Sequence, residues 1–140
     1  MLTPDNLRST YMEVPEVSLM EAVAQVPSYT VPGFSSCIKL TILYATTMLG
    51  LTQEEVATIK TYTGECLYQE LNNALRTEQY IMIKPWFAYL KLFQLALTKL
   101  KTEEGTFCRG ERRKWTVTYQ PGEIITWVHK FILIPVIFTE

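Results

Sequence analysis

One short segment carries an arginine in a setting that suits phosphate binding. Residues 105–110 read Gly-Thr-Phe-Cys-Arg-Gly, so Arg109 ends a short apolar run of strand-like composition and directly precedes Gly110. A guanidinium group is always charged and presents a planar fork of donors that matches a phosphate. A neighbouring glycine lets a ligand approach the backbone closely. The segment predicts an anion-binding strand end, although an ordinary surface arginine at a strand end has the same pattern.

A second set of polar side chains recurs along a predicted helix. Tyr68, Asn72 and Arg76 are spaced at i, i+4 and i+8, which places them on one stripe. This stripe is either a binding surface or an exposed polar surface beside the core. The apolar face next to it is predicted to contain Leu67, Leu71, Ala74 and Leu75.

The composition argues against several other kinds of site and partner. The only histidine is His129, and Cys37, Cys66 and Cys108 form no CxxC pair, so we expect no metal site. We expect these cysteines to be reduced, buried thiols rather than partners in a disulfide. A net charge of −1 gives no general electrostatic case for nucleic acid or an anionic membrane as partner.

The chain has the composition of one globular domain. It has 140 residues, 48% of them hydrophobic and 19% charged, which is enough to bury a core. The first ten residues lack the apolar region of a signal peptide. No run reaches the roughly 18 apolar residues of a membrane-spanning helix. These features predict a cytoplasmic protein.

Helices are predicted for most of the first hundred residues. Thr52 and Glu55 form a capping-box pattern, which opens a helix that ends near Thr63-Gly64. Lys84-Pro85 opens the longest helix, because proline suits a first helical turn. Apolar periodicity and cap residues predict further helices at 19–26, 35–49 and 65–77.

From residue 106 the pattern changes to strands. Residues 106–108, 115–119 and 123–127 are rich in β-branched and aromatic side chains. Helices followed by strands predict an α+β domain. We expect an N-terminal arm at 1–33, the domain at 34–127 and a divergent tail at 128–140.

Taken together, residues 51–127 resemble the arginine-specific mono-ADP-ribosyltransferases, which split NAD and transfer ADP-ribose to arginine side chains of proteins. The resemblance implies a helical N-terminal half followed by a split β-sandwich that encloses NAD. It rests on five stretches: Tyr62-Thr63-Gly64, the pattern from Tyr68 to Arg76, Lys84-Pro85-Trp86-Phe87 before a long apolar helix, Thr106 to Gly110, and residues 121–127, which read Pro-Gly-Glu-Ile-Ile-Thr-Trp.

The resemblance also implies roles for the candidate residues. Arg109, with Gly110 beside it, would hold the NAD pyrophosphate or the nicotinamide-side ribose. Tyr68, Asn72 and Arg76 would line the NAD side of the cleft. The implied partners are NAD and an arginine-bearing acceptor protein, and no metal is expected.

Two parts of the family's pattern are absent from this sequence. The Ser-Thr-Ser strand is missing because no serine follows Ser36, and Glu123 has no partner for a Glu-x-Glu loop. Cleavage of the nicotinamide–ribose bond needs a carboxylate near the developing positive charge. We therefore expect little or no turnover, and we hypothesise that residues 128–140 are translated from a retained intron.

Two other interpretations stay open. The chain would be a non-catalytic helical interaction module if the apolar helix at 86–100 docks a partner. Alternatively, it would be an unstable fragment if residues 131–138 form an aggregation-prone edge.

Overall fold

Helices form most of the chain that the computed structural model describes. The described residues are 4–27, 33–64 and 66–100, together with the backbone of two strands at 124–126 and 135–137. Between residues 4 and 100, 71% of the described positions are helical. The elements are α1 Pro4–Met12, α2 Leu19–Ala24, α3 Phe34–Tyr44, α4 Gln53–Thr63, α5 Tyr68–Arg76, α6 Tyr80–Ile83, a 3₁₀ turn Lys84–Trp86, α7 Phe87–Thr98, β1 Ile124–Thr126 and β2 Pro135–Ile137.

The helix predicted from the capping box is confirmed as α4. Thr52 Oγ1 accepts a hydrogen bond from the Glu55 amide at 3.2 Å, and Glu55 Oε1 accepts one from the Thr52 amide at 2.9 Å. Two amides that a helix start leaves without a partner are thereby satisfied. The helix ends at Gly64, where a Cβ would lie only 2.7 Å from the Lys60 carbonyl oxygen.

The long apolar helix predicted after Lys84-Pro85 is also confirmed. The 3₁₀ turn leads directly into α7, which packs against α1, α2 and α4. A helix that is apolar around most of its circumference belongs at the centre of a bundle. None of the described helices, α7 included, is long and apolar enough to cross a membrane. The residues that α7 buries are Phe87, Ala88, Tyr89, Leu90, Leu92, Phe93 and Ala96.

The N-terminal segment contributes two helices to the same core. Leu7 on α1 and Leu19 on α2 are buried. The Tyr11 hydroxyl donates to Gln94 Oε1 at 3.1 Å, and Lys91 Nζ donates to the Val14 carbonyl oxygen at 2.6 Å. These bonds tie residues 4–26, part of the predicted N-terminal arm, to α7.

α3 is shorter than the helix predicted at 35–49. It ends at Tyr44, and the next residue, Ala45, has an extended backbone with ψ 139°. Two β-branched threonines follow at positions 46 and 47, and these disfavour continuation of a helix. Gly50, which follows the predicted helix, lies in a separate tight turn that the bond from the Leu51 amide to the Met48 carbonyl oxygen closes.

The predicted α+β fold with a split β-sandwich is wrong. The described strands are β1 and β2, a single antiparallel ladder in which Ile125 lies opposite Val136. The core between residues 4 and 100 is made of helices that bury one another's apolar faces, so it needs no sheet to cover it. The strands predicted at 106–108 and 115–119 lie outside the described residues.

A disulfide between Cys37 and Cys66 contradicts the expectation of reduced thiols. Their Cα atoms are 5.8 Å apart, and the bond joins α3 to the residue before the N-cap of α5. The two cysteines are separated by 29 residues, so only the packing of the intervening α4 brings them together. Cys108 lies outside the described residues.

Candidate binding groove

Three of the predicted site residues lie on α5. Tyr68, Asn72 and Arg76 occupy the positions that the helical spacing predicts. The predicted apolar face beside them is confirmed, since Leu67 and Leu71 are fully buried and the other two members are buried as well. Arg109 and Gly110 lie outside the described residues.

Asn72 is part of the helix packing. Its side chain is only 6% exposed, and its Oδ1 accepts a hydrogen bond from the Tyr62 hydroxyl at 3.2 Å. The Tyr62 ring packs against Phe93, with 5.1 Å between the ring centroids. Asn72 therefore connects α5 to α4 beside α7, and the structure gives it a positioning role in the core.

The other two members of the stripe are exposed at opposite ends of α5. Eight residues separate Tyr68 from Arg76, which corresponds to about 12 Å along a helix. Arg76 Nη1 donates to Asn73 Oδ1 at 2.7 Å. The structure thus joins Arg76 to Asn73, and the buried Asn72 interrupts the stripe that the spacing predicts.

Asn73 lines a groove between α5 and the segment formed by α6 and the 3₁₀ turn. The groove encloses about 490 Å³. This volume lies within the range of about 300–1,000 Å³ that is usual for small-ligand sites. The groove combines an apolar wall with two polar residues of α5 and its C-cap Thr77. The residues used below are Glu70, Asn73, Thr77, Ile81, Met82 and Trp86.

The turn between α5 and α6 shapes this groove. Glu78 adopts a left-handed conformation with φ 53°, and its amide donates to the Leu75 carbonyl oxygen. Thr77 Oγ1 donates to the Ala74 carbonyl oxygen at 2.6 Å and accepts a hydrogen bond from the Gln79 amide at 3.1 Å. This turn places the short α6 in contact with α5.

α6 buries one side chain and exposes its neighbours. Ile83 is fully buried, whereas Ile81 is 79% exposed and Met82 is also exposed. The Tyr80 ring packs edge-on against Phe87 at 5.5 Å. This helix was not predicted from the sequence. Its signal is a run of four apolar residues at 80–83, which is too short to show a helical period.

The groove has few polar groups among its lining residues. Glu70 is the one carboxylate among its lining residues, and the Thr77 hydroxyl is already engaged with the backbone. Glycosyl transfer requires a carboxylate placed against a developing cation, usually with a second polar group to activate the acceptor. Within the described residues there is also no group of histidine, cysteine or acidic side chains that could hold a metal ion.

Comparison with known proteins assigns no family to this chain. No protein-family model, curated protein or solved structure matches it. Its function is therefore argued from its residues and from the geometry of the helices.

Proposed function

We propose that this chain binds NAD in the manner of the arginine-specific mono-ADP-ribosyltransferases that residues 51–127 resemble. The observation that carries the proposal is the agreement between the resembling stretches and the helices. Tyr62-Thr63-Gly64 ends α4, the pattern from Tyr68 to Arg76 forms α5, and Lys84-Pro85 leads into α7. The resemblance calls for a helical N-terminal half, and these helices support that part of it.

Arg109 is the proposed contact to the NAD phosphates. Its charged fork suits a pyrophosphate, because two parallel N–H donors bind two oxygens with fixed geometry. Gly110 leaves room for the ligand beside the backbone. Of the α5 stripe, Tyr68 and Arg76 are exposed and so are open to a ligand, whereas Asn72 acts by holding α5 against α4.

We propose that NAD binding occurs without efficient transfer of ADP-ribose to an acceptor arginine. The 140 residues contain neither a Glu-x-Glu loop nor a serine after Ser36. Without a carboxylate beside the ribose, the developing positive charge has no partner. The acceptor that the resemblance implies remains an arginine-bearing protein.

Calorimetric titration of the purified chain with NAD tests this proposal. We expect a dissociation constant in the micromolar range for the wild type and loss of binding in Arg109→Ala. The matched control is Arg112→Ala, which removes a nearby arginine from the charged run at 111–114 and should retain binding. Absence of binding at millimolar NAD, or equal loss in both variants, would refute the role of Arg109.

A helical interaction module is the second candidate. The apolar helix at 86–100 that was expected to dock a partner is largely buried as α7, so the groove beside α5 is the surface that favours this candidate. An apolar wall with Ile81 and Met82 exposed suits the apolar side of an amphipathic peptide. The same titration separates the two candidates, because a pure interaction module would bind no NAD. Ile81→Asp should leave NAD affinity unchanged if NAD is held through Arg109.

The disulfide bears on where the chain would work. The sequence predicted a cytoplasmic protein and, separately, reduced cysteines, but Cys37 and Cys66 are bonded. Such bonds persist in oxidising compartments and are rare where glutathione keeps thiols reduced. We therefore propose that the chain functions in an oxidising compartment. Alkylation of free thiols in intact cells before lysis tests this, because Cys37 and Cys66 should remain unmodified if they are bonded there.

A further inference from the structure

The outer side of α3 and the loop after it expose a patch of large apolar side chains. We call this surface the α3 patch, and each of its members is between 44% and 78% exposed. On the inner side of α3, Phe34 and Ile38 are buried, so the helix is apolar on two opposite sides. The members of the α3 patch are Leu40, Leu43, Tyr44, Met48 and Leu49.

The loop half of the patch is held close to the helix half. The Gln53 side chain donates to the Ile42 carbonyl oxygen at 3.0 Å, which ties the start of α4 to the end of α3. The Leu51 amide donates to the Met48 carbonyl oxygen at 2.8 Å and closes a turn. Together the five side chains expose on the order of 600 Å², at the upper end of what a soluble monomer presents in one patch.

The tip of the turn carries the most exposed member. Leu49 and Gly50 both have left-handed backbones, with φ 53° and 77°. Turns of this kind usually place asparagine, aspartate or glycine at both positions. Leu49 is instead a large aliphatic side chain that is held in solvent at the tip of the loop.

The charged side chains around the patch are basic. Lys39 lies on the outer side of α3, and Lys60 lines the cleft between α3 and α4 together with Leu40 and Tyr44. Residues 33–52 contain no acidic side chain.

The two acids in the first turn of α4 are engaged with other elements. Glu54 accepts a hydrogen bond from the Leu19 amide on α2, and Glu55 pairs with Lys99 after α7. Lys39 and Lys60 form the basic border of the patch, although the net charge of the chain is −1.

We propose that the α3 patch is a membrane-contact surface that binds an anionic lipid bilayer. Exposed aliphatic side chains at a protruding turn enter the boundary between headgroups and acyl chains, and a tyrosine is favoured at that depth. Lysine side chains reach from an apolar surface to the headgroup phosphates. The basic border thus complements the negative charge of an anionic headgroup surface, for which phosphatidylserine serves as the probe below.

A second copy of the chain fits this surface less well. A two-fold pair would bury less than the roughly 800 Å² per partner of a standard interface. The same operation would bring the Lys39 and Lys60 side chains of both copies to one interface, and like charges oppose association. Self-association through the patch is therefore an outcome that would overturn the proposal.

Co-sedimentation with vesicles tests the proposal on the full, oxidised chain. We expect binding to phosphatidylcholine vesicles that contain phosphatidylserine, and roughly tenfold weaker binding to phosphatidylcholine alone because the lysines lose their partners. Leu43→Asp/Leu49→Asp should weaken binding by at least about tenfold, because two inserted aliphatic side chains become charged. Gln69→Asp/Gln79→Asp is the matched control, because it adds the same two charges at exposed positions outside the patch and the groove, and it should bind as the wild type does.

Three results would overturn the proposal. The first is absence of binding to vesicles that contain phosphatidylserine. The second is binding that Leu43→Asp/Leu49→Asp leaves unchanged while thermal melts show that this variant is folded. The third is a concentration-dependent dimer, seen by sedimentation velocity, that the same variant abolishes.

Discussion

At the scale of single residues, Tyr89 is the buried polar group that connects the two central helices. Its side chain on α7 is fully buried, and its hydroxyl donates to the Thr58 carbonyl oxygen of α4 at 2.7 Å. Burial raises the pKa of Tyr89 well above its ordinary value near 10, and the neighbouring Tyr62 raises it further. The hydroxyl therefore stays neutral in the folded protein at a pH where an exposed tyrosine ionises.

Tyr89→Phe should lower the free energy of unfolding by about 1 kcal/mol at neutral pH, because the Thr58 carbonyl loses a donor. In the wild type, tyrosines of the unfolded chain ionise above about pH 10 while folded Tyr89 resists ionisation. Stability linked to Tyr89 is thus present below that pH and is lost as pH rises towards the raised pKa. Urea unfolding at neutral and alkaline pH should show a steeper alkaline loss for the wild type than for Tyr89→Phe. Equal alkaline losses would contradict this role.

Glu55 shows the opposite pH behaviour at the start of α4. The hydrogen bond from Lys99 and, next, the bond from the Thr52 amide lower the pKa of Glu55 below its ordinary value. Its contribution to stability is present above the unfolded pKa of about 4.3 and is lost as pH falls through the lowered folded value. Protonation weakens both the ion pair and the cap.

Glu55→Gln should cost about 0.5 kcal/mol at neutral pH, because glutamine keeps the cap but loses the exposed ion pair. As the pH falls below about 4, the wild type should converge on the variant, since its own carboxylate becomes neutral. Thr52→Ala is the control, and it should cost about 1 kcal/mol at both pH values. A difference between Glu55→Gln and the wild type that does not change with pH would show that the ion pair contributes nothing.

At the residue scale, the sequence predicted the interactions between residues that are close together in the chain. The bonds between Thr52 and Glu55 involve residues three positions apart, so the pattern alone identifies them. The burial of Asn72 could not be predicted in that way, because it depends on how Tyr62 on α4 meets α5. The spacing placed Asn72 on the correct stripe, but packing between helices decided its role.

At the scale of elements, α3 packs one apolar side against α2 and α4 and exposes the other. Of its eleven residues, Phe34 and Ile38 are buried, whereas Leu40, Leu43 and Tyr44 face solvent. The Cys37–Cys66 disulfide supplies a covalent link between this helix and the start of α5. Loss of the link therefore leaves α3 held only by its non-covalent packing and by hydrogen bonds such as that from Gln53.

Cys37→Ser/Cys66→Ser should lower the free energy of unfolding by about 3 kcal/mol, since the unfolded chain gains the freedom that a loop of this length removes. A reductant should produce a similar loss in the wild type and none in the double variant. Urea unfolding with and without dithiothreitol measures both effects. An unchanged midpoint in the wild type on reduction would show that the bond is not important for stability.

Helices were predicted well where the sequence has a clear capping pattern or a long run of apolar periodicity, and poorly elsewhere. α4 and α7 follow from a capping box and from a proline before a broad apolar stripe. The end of α3 was predicted wrongly because the apolar composition continues past Tyr44, whereas the helical conformation of the backbone ends there. The disulfide was missed because its two cysteines meet only through the fold.

At the scale of the whole molecule, the described helices complete a core without the predicted β-sandwich. α7 is packed between α1, α2 and α4, and the N-terminal helices belong to that core. The core therefore needs no sheet, and the family resemblance itself stays a prediction. The proposed function depends on Arg109, whose guanidinium suits NAD, and on the absence of a Glu-x-Glu carboxylate pair.

NAD binding without turnover is the central claim, and one incubation measures both parts of it. The purified chain is mixed with NAD labelled in its ADP-ribose group and with polyarginine. We expect the wild type to bind labelled NAD at equilibrium and Arg109→Ala to bind none. We expect neither protein to transfer label to polyarginine. Robust transfer by the wild type would contradict the claim that turnover is absent, and wild-type protein that binds no labelled NAD would contradict the claim that NAD binds.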